Sequence, residues 1–141
     1  MGGALMVRIL TEGTRTLMGV RELVLQPQSE IDEVRRWLCT HGWHIMKEDI
    51  LLDEGKYYPM FKAVPGETEG YTEAEYRFGK LGLQVSPEVL ADFLEKRLEV
   101  NRQIEAGLPK NDDGRIAARR AEVAAEIGLL TEVLSCITSW R

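Results

Sequence analysis

Trp43-His44-Ile45-Met46-Lys47-Glu48-Asp49-Ile50-Leu51-Leu52, then Asp53-Glu54-Gly55-Lys56, then Tyr57-Tyr58-Pro59-Met60-Phe61-Lys62-Ala63-Val64: the fold turns on how these residues are read. Two runs with strand character are joined by a connection far too short for a parallel crossover, so the spacing predicts an antiparallel hairpin. Upstream, Glu22-Leu23-Val24-Leu25-Gln26-Pro27 is a short apolar run without alternation, closed by a proline, with the character of a central parallel strand. Between the two, Ser29 is expected to cap a helix over 30–40, with Ile31, Val34, Trp37 and Leu38 on one face and Gly42 just past its end.

Working outward, Met1-Gly2-Gly3-Ala4-Leu5 is a glycine turn that feeds an apolar helical stretch through Val7, Ile9 and Leu10 up to Gly13. A turn of this form follows a strand in an α/β sheet, yet no strand stands ahead of it here. The order is therefore helix, strand, helix and hairpin, and the expectation is a piece of a larger α/β domain.

Beyond the hairpin the pattern becomes helical. Thr72-Glu73-Ala74-Glu75 has the form of a capping box, and Ser86-Pro87-Glu88 is a clear start signal: a capping hydroxyl, proline at the first helical position and an acid near the positive end. The second of these helices is expected to run to about Ala106, where Gly107 and Pro109 end it, with Leu90, Phe93, Leu94, Leu98 and Ile104 on its apolar face. After the polar loop 109–114, Ile116, Arg120, Val123, Ile127, Leu130, Leu134 and Ile137 recur at steps of four and three. That is a heptad seam with one charged interruption, and the short loop predicts that the two long helices form an antiparallel coiled-coil hairpin. The domains expected are 1–67 for the sheet portion and 68–141 for the helical portion.

With 141 residues, 44% of them hydrophobic, and a formal net charge of −5, the composition is that of a soluble globular protein. An acidic balance argues against a nonspecific polyanion binder, so any RNA must be met by local patches. Arg115, Arg119 and Arg120, with Lys110 nearby, form the concentrated basic cluster of the tail; a solvated helix face explains it as readily as an RNA contact does. Cys39 and Cys136 each fall on an expected helix beside apolar neighbours, as small buried side chains do. His41 and His44 flank Gly42-Trp43 without a carboxylate or cysteine to complete a ligand set, so no metal site is expected. Apolar runs are too short to span a bilayer, and a cytoplasmic location is the default.

A specific resemblance joins these pieces. Met1-Gly2-Gly3-Ala4-Leu5, Leu23-Val24-Leu25-Gln26-Pro27-Gln28, Arg36-Trp37-Leu38 with Gly42-Trp43-His44-Ile45, Glu48-Asp49-Ile50, Gly55-Lys56-Tyr57-Tyr58 and Pro65-Gly66-Glu67 resemble, in order and spacing, the bacterial tRNA (adenine(22)-N(1))-methyltransferase family, TrmK-like enzymes of class I. The likeness continues into Glu75 and Phe78-Gly79; the helical tail agrees in kind rather than by motif. Members usually carry Gln-Pro-Asn where this chain has Gln26-Pro27-Gln28, which keeps an amide with a longer reach, and Tyr-Glu where it has Tyr58-Pro59. A proline there suits an edge or a bulge.

The resemblance implies a partial Rossmann-like class I methyltransferase sheet that ends in an antiparallel hairpin, and transfer of a methyl group from S-adenosylmethionine to nitrogen 1 of an adenine in tRNA. It implies that Gly2, Gly3, Gln26, Pro27 and Gln28 border the cofactor or substrate pocket, the glycines by close backbone approach and the amides by hydrogen bonds to a base edge; an ordinary tight turn and ordinary loop caps account for the same residues. No catalytic residue is singled out. Trp43, Tyr57 and Tyr58 are candidates for stacking a displaced base, or core aromatics. The glycine-rich turn and ribose-binding acid that hold such a cofactor are expected ahead of Met1, so the isolated chain is expected to be inactive. The complete enzyme is expected to act as a monomer without a metal or a membrane. Two alternatives stay open: a noncatalytic coiled-coil interaction module, and a methyltransferase of the same fold with another substrate.

Overall fold

A computed structural model describes residues 1–111 and 113–140, apart from the side chains of 139 and 140. Asp112, in the loop expected over 109–114, therefore lies outside the described residues. The chain divides into two compact units, Met1–Ser86 and Pro87–Arg141. The segment that follows the hairpin is bonded into the first of these units, where Val85 N–H meets the Glu48 carbonyl.

In the first unit, α1 spans Gly3–Glu12 and a single turn, α2, spans Thr14–Leu17. Then come β1 (Leu23–Leu25), α3 (Ile31–Thr40), β2 (Trp43–Asp53) and β3 (Lys56–Pro65). The strands form one sheet in the order β1-β3-β2. The hairpin is as expected: Asp53 pairs with Lys56 around Glu54 (φ 48°) and Gly55 (φ 78°), two positive-φ residues whose twist suits a two-residue connection.

β1 departs from expectation. It runs antiparallel to β3, Leu23 opposite Ala63 and Leu25 opposite Phe61, and stands first in the order β1-β3-β2. An apolar run records that residues are buried but not which way the strand points. Val24 is in fact exposed, while Leu23 and Leu25 pack against the core.

A bulge in β2 sets the rest of the geometry. The register shifts between Ile45 and Lys47, so Met46 is an extra, exposed residue; Trp43 and Ile45 face the core before it, and Glu48 and Ile50 after it. Pro59 pairs with Ile50 beyond the reach of β1, so its missing N–H costs no ladder bond on that side; the bulge expected as one option for it lies instead at Met46.

Both long helices of this unit pack on one face of the sheet. Met6 and Leu10 of α1, Val34, Trp37 and Leu38 of α3, and Trp43, Ile45, Phe61 and Ala63 of the sheet form one buried cluster. Trp37 Nε1 donates to Thr11 Oγ1 at 3.0 Å, which joins α3 to α1 while satisfying the indole.

After the hairpin, α4 (Glu73–Phe78) starts with the expected capping box: Glu75 N–H donates to Thr72 Oγ1 at 3.2 Å, and Thr72 N–H donates to Glu75 Oε1 at 2.9 Å. A 3₁₀ turn follows at Leu81–Leu83, and Val85 N–H closes onto the Glu48 carbonyl at 2.9 Å.

The second unit is α5 (Pro87–Gly107) and α6 (Gly114–Trp140). Leu90, Ala91, Leu94 and Leu98 of α5 are buried with Val123, Leu130, Val133 and Ile137 of α6. Arg97 meets Glu126 at 3.6 Å, and Arg120 Nη2 donates to the Pro109 carbonyl at 2.6 Å, a pairing order that an antiparallel arrangement gives. Cys136 is exposed, contrary to expectation, because it falls outside the buried row of Val133 and Ile137; Cys39 is half-buried, and burial above all pushes its thiol up, leaving it in the inert protonated form. Among the described residues, no helix is long and apolar enough to cross a membrane.

Candidate functional site

The turn at the start of α1 and the turn after β1 are bonded directly to each other. Gln28 N–H donates to the Met1 carbonyl at 2.9 Å, and Gly3 N–H donates to the Ser29 carbonyl at 2.8 Å. The structure therefore brings together the two segments that sequence reasoning paired. Gln26 and Gln28 are exposed, Gly2 is half-buried, and Pro27 and Gly3 are buried.

Their roles differ. A Cβ at Gly3 would run into the carbonyl oxygens of Ser29 and Glu30, so glycine is required for close packing of α1 on the 29–30 backbone, and the space beside it is not open to a ligand. Pro27 is enclosed by protein. Gln26, Gln28 and the half-exposed Gly2 remain as a polar rim at the end of β1.

Glu30 completes that rim and was not foreseen. Ser29 is not the cap of α3: Glu30 occupies that position with φ 42°, and its side chain turns back to α1. Its Oε2 accepts from Ala4 N–H at 3.2 Å and from the Ser29 hydroxyl at 2.8 Å, satisfying an N-terminal amide that α1 does not cap itself. The Ser29 hydroxyl, and then the Ala4 N–H, hold the Glu30 carboxyl below the usual carboxylate range. Placement beside an N-terminal glycine turn was the available signal, since a carboxylate there suits the positive end of a helix.

The largest omission is the pair Arg35–Glu48. Arg35 Nε and Nη2 donate to Glu48 Oε2 and Oε1, both at 3.0 Å, and Arg35 Nη1 donates to the Tyr76 and Arg77 carbonyls, both at 2.8 Å. Both side chains are buried. Burial pushes the Glu48 carboxyl up, and the facing guanidinium opposes that. Gly79, at φ +85°, leaves room for this carboxylate, since a Cβ there would stand 2.6 Å from Glu48 Cδ. The sequence signal was a charge inside the apolar stripe Ile31, Val34, Leu38.

The other candidates are placed as follows. Trp43 is in the core, where it cannot stack a base, while Tyr57 and Tyr58 on the hairpin are half-exposed. His41 stacks on Trp37 with ring centroids 4.3 Å apart. In the tail, Lys110 and Arg115 are exposed, Arg119 pairs with Glu122 at 3.2 Å, and Arg120 is committed to the Pro109 carbonyl.

Comparison with solved structures defines the class. The Streptococcus pneumoniae protein Sp1610, crystallised in complex with S-adenosyl-L-methionine, matches at 33% identity with a TM-score of 0.75, over 95% of this chain and 56% of its own. The Bacillus subtilis M1A22 tRNA methyltransferase TrmK matches with a TM-score of 0.77 at 26% identity, over 95% of this chain and 60% of its own. The fold is that of Rossmann-like methyltransferases.

The family model for TrmK, tRNA (adenine(22)-N(1))-methyltransferase, matches residues 1–132, and the chain belongs to this family. A tRNA (adenine(22)-N(1))-methyltransferase of Bacillus subtilis (strain 168) is 35% identical over 98 residues, which is 68% of this chain and 41% of that protein. The chain thus spans about half the length of the relatives it matches.

Proposed function

We propose that this chain contributes to the transfer of a methyl group from S-adenosylmethionine to nitrogen 1 of an adenine in tRNA, as the family name describes. The observation that carries this reading is the polar rim of Gln26, Gln28 and Gly2, bonded across two turns at the end of β1, within a match that covers residues 1–132. Ligands of open α/β sheets gather at such strand ends.

When bound, S-adenosylmethionine supplies an electrophilic methyl group on a sulfonium. The lone pair of adenine N1 forms the new N–C bond as the S–C bond breaks, and the base takes up the positive charge. The work left to the chain is orientation, which requires no metal and no covalent intermediate. The Gln26 and Gln28 amides each offer a donor and an acceptor, a set that fits the edge of an adenine. Gly3 and Pro27 act behind them by fixing the two turns.

In this reading 1–67 belong to the methyltransferase domain, and the helices of 68–141 form an RNA-facing portion whose long pair, α5 and α6, is an antiparallel coiled-coil hairpin. Val123, Leu130 and Ile137 supply its buried seam. Lys110 and Arg115 are its exposed cationic contacts for RNA, with Arg119 and Arg120 already engaged within the chain. The protein acts as a monomer on tRNA in the cytoplasm. The test is a methyl-transfer assay on tRNA transcripts with the protein as its gene encodes it, in wild-type form and as Gln26→Ala and Gln28→Ala. Turnover should fall in these variants more than tRNA affinity does; unchanged turnover contradicts the rim as the pocket.

A further inference from the structure

A row of alternating charge and aromatic rings lies on the first unit, apart from the residues discussed so far as candidates. The Arg36 guanidinium sits over the Tyr76 ring, 4.3 Å from its centroid; Tyr76 and Tyr71 are 5.1 Å apart and tilted by 32°; and Lys80 Nζ lies 4.5 Å from the Tyr71 centroid. The two cations thus flank one pair of touching rings, each within the distance at which a cation is drawn to a ring face.

The row is rigidly mounted. α4 carries Tyr76, and its backbone carbonyls at Tyr76 and Arg77 are held by the buried Arg35 fork, while the capping box fixes its start. Lys80 follows Gly79, whose position against Glu48 is closely packed. All four side chains are nonetheless partly open to solvent.

Charge is distributed unevenly along it. Arg36 pairs with Glu73 and feels Asp32, so its net field is reduced, whereas Lys80 makes no ion pair among the described residues. The Arg36 side chain is 39% exposed, so the group over the Tyr76 ring is partly open to solvent. Burial above all pushes the Tyr71 phenol up, so it stays a neutral O–H and does not repel an anion.

We infer that this row is a contact for an unpaired nucleotide of tRNA, with a base stacked on the Arg36 plane and a phosphate held by Lys80. An unpaired nucleotide offers one flat π face and one adjacent anion, and RNA loops are recognised by such stacking on aromatic and guanidinium planes. An acidic peptide offers the anion alone. The inference rests on the tRNA reading above, and adds to it a surface on the sheet unit.

The test is binding of a fluorescently labelled tRNA transcript to the 141-residue chain across a salt series. Lys80→Gln should weaken binding and reduce the salt slope by roughly 0.7, the value of one contact on a single strand. Arg36→Lys keeps the charge but loses the plane, and should weaken binding about fivefold or more, as loss of one stacked base does, with little change in slope. Both side chains are at the surface, so unaltered thermal melts establish folding. Wild-type affinity in both variants, an Arg36→Lys that binds like wild type, equal competition by polyglutamate, or no tRNA binding by the wild-type chain at low salt would each overturn the inference. Methyl transfer is measured separately, so the tRNA methylation reading survives the loss of this surface.

Discussion

Arg35 and Glu48 form a buried, two-pronged ion pair whose guanidinium also binds the carbonyls of Tyr76 and Arg77, so one side chain joins α3, β2 and α4. Removing either partner leaves an uncompensated buried charge, at a cost of about 3–5 kcal/mol. Arg35→Met and Glu48→Leu should each lower stability by that amount in urea unfolding, and the double variant should lose clearly less than the two combined. Additive losses would show that the two groups do not act as a pair.

Gly79 makes room for that pair. Its backbone, at φ +85° and ψ 157°, lies in a region that is essentially glycine-only, and a Cβ would meet the Glu48 carboxyl carbon. Gly79→Ala should therefore cost at least about 1–3 kcal/mol from the backbone alone. Gly82→Ala is the control, because nothing lies within 4 Å of a Cβ there; equal effects at the two sites would refute the packing explanation.

Glu30 should titrate below an ordinary glutamate. Its folded-state value is lowered, so its contribution to stability is present above the unfolded-state value and is lost as pH falls through the folded one. Carboxyl carbon shifts followed by NMR should show the low midpoint, and Ser29→Ala should raise it. A midpoint unmoved by that change would mean that the hydroxyl is not the chief cause.

The tail offers a distance test. Because Arg97 meets Glu126, residues near Leu90 should approach those near Leu134, and residues near Ile104 those near Ile116. Spin labels at these pairs should report short distances that do not change with protein concentration. A parallel pairing that grows with concentration would contradict an intramolecular hairpin.

What was legible in the sequence was local. The hairpin turn, the Thr72 capping box and the start at Pro87 are written in neighbouring residues, and all three stand. The Met46 bulge was not legible: simple alternation from Trp43 and Ile45 turns Lys47 and Asp49 inward, and the shift that brings in Glu48 depends on contacts distant in sequence. Ser29 looked like the better cap than Glu30 because intrinsic preference cannot anticipate a side chain recruited by another helix. For the candidate site, the residues suggested a glycine turn and a pair of amides; only the fold brings Met1 against Gln28.

The most direct test of tRNA adenine methylation is the position of the methyl group itself. The protein as its gene encodes it would be incubated with tRNA transcripts and S-adenosylmethionine carrying a labelled methyl group, and the RNA digested and separated by liquid chromatography with mass spectrometry. The expected result is 1-methyladenosine at a single position, adenine 22, lost when that adenine is replaced. No incorporated label, or label on another base or another nitrogen, would contradict it.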